Sequence, residues 1–107
     1  MPRYLIQAAY TPEAWATMVK NPQDRAKAVK KMVDDAGGSL ESFDFAFGDS
    51  DVVMIATLPD NTTAAGIAIA ATAGGALKGI KTTPLMTPQE AIKAMKTAGK
   101  IAYEPPG

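Results

Sequence analysis

An α+β fold built on a four-stranded antiparallel sheet is predicted by three features of this sequence. Four segments alternate or run apolar as strands do, the second and third are joined by the turn Gly48-Asp49-Ser50, and helix-opening signals follow the first and the third. The length of 107 residues fits a single domain over residues 1–107.

Arg3 to Tyr10 is the first strand, with Tyr4, Ile6, Ala8 and Tyr10 on one face and Arg3, Leu5, Gln7 and Ala9 on the other. Thr11-Pro12-Glu13 opens a helix: Thr is an N-cap, Pro suits the first helical position, and Glu suits the positive end of the dipole. Asn21-Pro22 repeats that signal and predicts a break before the helix resumes, with Val29, Met32, Val33 and Ala36 on its apolar side. Lys27, Lys30, Lys31, Asp34 and Asp35 form its wet side, and Gly37-Gly38 ends it.

Ser39 to Phe47 alternates, placing Phe43, Phe45 and Phe47 on one face. Asp51 to Leu58 differs, because Val52 to Ala56 is apolar on both faces and asks for cover on both sides of the sheet, from helices or from a partner subunit. Pro59-Asp60-Asn61 stops that strand and caps a helix running to about Ala73 and closing at Gly74-Gly75. Its alanines and Gly66 permit close approach by a neighbouring element. The last strand, Ile80 to Thr87, contains Pro84, whose missing N–H assigns it to a sheet edge. Thr87-Pro88-Gln89-Glu90 is a capping box opening a short C-terminal helix to about Ala98, and residues 99–107 read as an irregular tail. The order β-α-β-β-α-β is the ferredoxin-like arrangement, and right-handed crossovers give strand order 4-1-3-2.

Composition narrows function mainly by exclusion. Eleven Lys+Arg balance 11 Asp+Glu, which argues against nucleic-acid binding, since affinity for phosphate backbones comes mainly from basic residues. Without Cys or His the chain has no thiolate or imidazole chemistry, no His-ligated haem and no high-affinity transition-metal site, so no metal and no cofactor are expected. The longest uncharged stretch, Asn61 to Leu77, is 17 residues diluted by Gly and Thr, short of the roughly 20 apolar residues of a membrane helix. Met1 to Tyr10 has no continuous apolar run like a signal peptide, so a cytoplasmic address is expected. Of 50 hydrophobic residues 20 are Ala, a poor supply of core volume that favours a homodimer or a multiple of dimers.

Two groups of residues are candidates for a site. Asp44, Asp49 and Asp51 lie within eight positions. They offer a general base or a hard-cation site, although turn formation accounts for Asp beside Gly, and the Gly and distal Glu of a calcium loop are missing. Tyr10 ends the first strand and Trp15 lies one turn into the first helix, so the two flank one cavity mouth or fill core. Antiparallel pairing of strands 1 and 3 brings Asp49 and Asp51 to the rim occupied by Tyr10. A ligand pocket is therefore expected between the sheet and the first helical segment, with Tyr10, Trp15, Asp49 and Asp51 as ligand-binding residues. Gly74, Gly75 and Gly79 near Lys78 follow a helix and match no phosphate-loop spacing.

Several segments together resemble the GYD domain family, small bacterial proteins named for a Gly-Tyr-Asp signature at the β2–β3 hairpin. They are Tyr4-Leu5-Ile6 leading to Tyr10-Thr11, Gly37-Gly38-Ser39-Leu40, Phe47-Gly48-Asp49-Ser50-Asp51-Val52-Val53, Leu58-Pro59-Asp60, Gly79-Ile80-Lys81-Thr82-Thr83 and Thr87-Pro88-Gln89-Glu90. The resemblance covers roughly Pro2 to Ala94, and Ser50 stands where the signature has Tyr. It implies a dimeric α/β-barrel fold in which two sheets pack face to face across subunits. It implies no single activity, because relatives in that superfamily include cofactor-free monooxygenases, isomerases, haem-degrading enzymes and ligand-sensing domains.

Three function classes follow from these readings. One is an oligomer that binds a small organic molecule or protein partner without catalysis. A second is a cofactor-free monooxygenase- or isomerase-like enzyme in which Tyr10, Asp49 or Asp51 acts as acid or base. A third is a structural module of a larger assembly. The first is favoured.

Overall fold

The computed structural model describes residues 1–107 as eight elements: β1 (Arg3–Tyr10), α1 (Pro12–Lys20), α2 (Arg25–Asp35), β2 (Ser39–Phe45), β3 (Val52–Thr57), α3 (Asn61–Ala73), β4 (Leu77–Leu85) and α4 (Pro88–Ala98). The four strands form one antiparallel sheet in the order β2-β3-β1-β4, the expected 4-1-3-2 read from the other edge. Pro84 lies in the edge strand β4 opposite Tyr4, and Val53 and Ile55 lie in the interior strand β3.

Local chemistry sets the helix ends. The Thr11 hydroxyl accepts the Ala14 amide, and Thr87 and Glu90 form a reciprocal capping box. Asp60 accepts the Thr63 amide at 2.8 Å, and that backbone hydrogen bond holds its carboxyl below the usual carboxylate range. The Thr87 amide lowers Glu90 in the same way. The first helical segment breaks at Asn21-Pro22 as the sequence predicts. Gly37, at φ +85°, turns the chain out of α2 through the left-handed region.

The core lies on one face of the sheet. Tyr4 and Ile6 of β1, Met54 and Ala56 of β3 and Leu58 just beyond it pack against Val33 of α2 and Ala64 and Ile67 of α3. The Tyr4 hydroxyl donates to Asn61 Oδ1 at 2.6 Å, tying the central strand to the start of α3. No helix covers the opposite face, where Leu5, Val53, Ile55 and Leu85 are half-buried between exposed polar residues. The apolar-on-both-faces pattern of β3 is thus met by helices on one side only.

Four details depart from the sequence reading. β4 begins at Leu77 and ends at Leu85, earlier than the expected Ile80 to Thr87, because pairing with β1 extends to Tyr10 opposite Leu77. β2 stops at Phe45, short of the expected Phe47, and β3 is confined to Val52–Thr57 within the expected Asp51 to Leu58. The three-Phe stripe is consequently broken: Phe43 and Phe45 stack edge-to-face at 5.6 Å, while Phe47 stands fully in solvent in the hairpin.

α4 carries no buried residue and packs extensively against no other element. The molecule measures 57 × 35 × 23 Å with a radius of gyration of 17.1 Å, against about 13 Å for a compact chain of this length. No helix is long and apolar enough to cross a membrane.

Candidate functional site

The β2–β3 hairpin meets the end of β1 where antiparallel register predicts. The Asp51 amide donates to the Ala8 carbonyl at 2.8 Å, and Ala46 donates to the Asp51 carbonyl at 2.9 Å. Asp51 Oδ2 accepts two hydrogen bonds, from the Tyr10 backbone N–H at 2.9 Å and from the Trp15 indole N–H at 3.2 Å. Trp15 packs edge-on against Tyr10, with centroids 5.3 Å apart, and at 6.3 Å from Phe45. Tyr10, Trp15 and Asp51 therefore converge. Asp49 does not join them; it is exposed at the hairpin tip without a hydrogen-bond partner, and Asp44 is exposed on β2. No three carboxylates come together in a cation-holding group.

Chemically this cluster is a clamp. One oxygen of Asp51 is occupied by two donors that fix the strand end and the first turn of α1, so the carboxylate holds geometry rather than facing a cavity.

The adjoining space is a pair of cavities that share four residues. The inner cavity, about 310 Å³, lies between the helix-covered face of the sheet and helices α2 and α3. Its walls are almost wholly apolar: Ile6, Val52, Met54 and Ile80 from the sheet, Val29 and Met32 from α2, and Ile67 and Ala71 from α3. The outer vestibule, about 350 Å³, is lined by Thr11, Glu13, Thr17 and Met18 on the α1 side and by Gln23. Tyr10, Arg25, Gly74 and Ala76 line both and so form the boundary, or neck, at which the two adjoin. Of the four residues proposed from sequence, only Tyr10 borders either cavity; Trp15, Asp49 and Asp51 border neither.

Two features of the neck stand out. Tyr10 is 7 % exposed and its hydroxyl has no hydrogen-bond partner in the protein, unlike that of Tyr4. Arg25 is half-buried and pairs with no carboxylate; its only side-chain hydrogen bond is a long one to Gln23 Oε1 at 3.4 Å. Arg25 is the functional candidate that sequence reasoning missed. A signal existed: Lys30 and Lys31 find Asp34 and Asp35 four residues on, whereas Arg25 finds Val29.

A family model describing the GYD domain matches residues 4–95. The chain belongs to the GYD domain family. No curated protein and no solved structure matches it significantly. In this GYD domain Ser50 is half-buried in the hairpin, immediately before the clamping Asp51. The neck and both cavities are built mainly from α1, α2, α3 and the sheet, all inside the matched span.

Proposed function

We propose that this protein binds a small, largely apolar organic molecule, without catalysis, in the inner cavity between sheet and helices. The observation that carries this reading is the cavity itself: about 310 Å³, with 14 of its 16 lining residues hydrophobic and with Tyr10 and Arg25 on the boundary it shares with the vestibule. A void of this size and lining favours an apolar occupant over water, which needs several polar partners to enter. Non-catalytic binding is favoured because, of the acid–base candidates Tyr10, Asp49 and Asp51, neither carboxylate lines the space a substrate would fill and only the Tyr10 phenol does.

The test uses the neutral fluorescent probe N-phenyl-1-naphthylamine. Saturable binding of one molecule per chain is expected, and Ala71→Phe, which fills the cavity from α3, abolishes it while the fold is retained. Absence of saturable binding, or equal binding by the filled variant, overturns the reading.

We further propose that the working form is a homodimer, or a multiple of dimers, joined through the open sheet face. The uncovered row Leu5, Val53, Ile55 and Leu85 supports this. So does a surface of 7508 Å², well above the roughly 5,700 Å² of a compact monomer of this mass. A dimer in sedimentation at micromolar concentration is expected, and Ile55→Lys converts it to monomer by placing a charge in the apolar centre. A monomeric native protein would refute the assembly.

A further inference from the structure

The neck contains two groups that the fold itself leaves unused. The Tyr10 hydroxyl is on a side chain more than nine-tenths buried and has no protein partner. The hydroxyl oxygen is not sealed from solvent, since no fully buried side-chain polar atom is without a partner, so it is free to exchange water for an acceptor on a ligand. Arg25 lines both cavities, half-buried, with no carboxylate in salt-bridge range, whereas Lys30 and Lys31 of the same helix are paired. Both groups are donors, and Arg is also a fixed positive charge. The inner cavity holds no other charged residue.

We propose that the ligand of this cavity is an apolar carboxylic acid, bound as its anion, with the hydrocarbon body in the inner cavity and the carboxylate at the neck against the Tyr10 hydroxyl and the Arg25 guanidinium. The assignment rests on the binding reading above and adds the chemical class to it. A planar carboxylate accepts from a guanidinium and a phenol together, and charge-assisted bonds of this kind are the strong ones. Glu13 lines only the vestibule and is exposed. Its charge disfavours a second anionic group further out, so the ligand carries one acidic head at one end of an apolar body. Asp51 holds the Tyr10 backbone amide and Trp15 packs against the Tyr10 ring, behind the neck.

The experiment compares 2-naphthoate with 2-naphthamide, a neutral molecule of the same shape, by displacement of N-phenyl-1-naphthylamine. On the native protein the anion is expected to bind about tenfold more tightly than the amide. In Arg25→Gln that preference collapses to less than twofold. In Tyr10→Phe, which keeps the ring against Trp15, the preference is reduced. Equal affinity for the two on the native protein, or a preference that survives Arg25→Gln, overturns the head-group assignment while leaving the apolar cavity standing. If the neutral probe itself fails to bind, the cavity reading and the assignment fall together.

Discussion

Gly38→Ala is expected to lower folding stability by about 3 kcal/mol, which for a domain of this size means a melting temperature lower by roughly 12–24 °C. A Cβ on Gly38 would fall inside contact distance of the Thr57 carbonyl oxygen and 2.8 Å from Leu58 Cδ2. Neither neighbour has room to give. Thr57 is the last paired residue of β3, and Leu58 is fully buried, with its amide bonded to the Pro2 carbonyl at 3.0 Å. The Gly38 amide is itself held at 3.0 Å by the Val33 carbonyl, so the chain cannot back away from the clash. Gly48→Ala, where a Cβ meets nothing within 4 Å, is the control, expected to change stability by less than about 0.5 kcal/mol. Thermal unfolding followed by circular dichroism decides it, and a Gly38→Ala protein melting within a few degrees of the native one contradicts the packing described.

The second large effect is at the clamp. Asp51→Ala removes the acceptor of both the Tyr10 amide and the Trp15 indole, an expected loss of about 2 kcal/mol, whereas Asp49→Ala at the exposed hairpin tip costs less than about 0.5 kcal/mol. Trp15 is the only tryptophan in the sequence, so its fluorescence reports this site alone. Freed from Asp51, the half-exposed indole shifts its emission to longer wavelength in Asp51→Ala and not in Asp49→Ala. Equal melting temperatures and emission maxima for the two variants would show that the carboxylate carries no load there. The two aspartates are close in sequence and look alike in composition. What separates them is the strand pairing that directs one carboxylate onto the end of β1.

That contrast marks how far the sequence reaches. The helix starts at Thr11-Pro12 and Thr87-Pro88-Gln89-Glu90, the break at Asn21-Pro22, the edge position of Pro84 and the strand order were all legible, because each rests on local chemistry or on a connection rule that few residues satisfy. The approach of Asp51 to Tyr10 was legible as well, since antiparallel register alone places the start of one strand against the end of the other. The ends of β2 and β4 were not: the alternation through Phe47 is as regular as that through Phe43, and only the pairing ladder decides where a strand stops.

The candidate site was legible in one residue of four. Tyr10 borders the cavities, but the cavities themselves are a property of how α2 and α3 lie over the sheet. The alanines of α3, read as surfaces for close approach, act differently along the helix. Ala64 is buried in the core, while Ala71, with Gly74 and Ala76 beyond the helix, recedes from the sheet and leaves space. A small side chain permits contact or emptiness equally well, and its own neighbourhood in the sequence does not choose between them. The choice is made by the larger residues that set the helix-to-sheet distance, here Ile67, Met32 and Met54, whose meeting is a matter of tertiary packing.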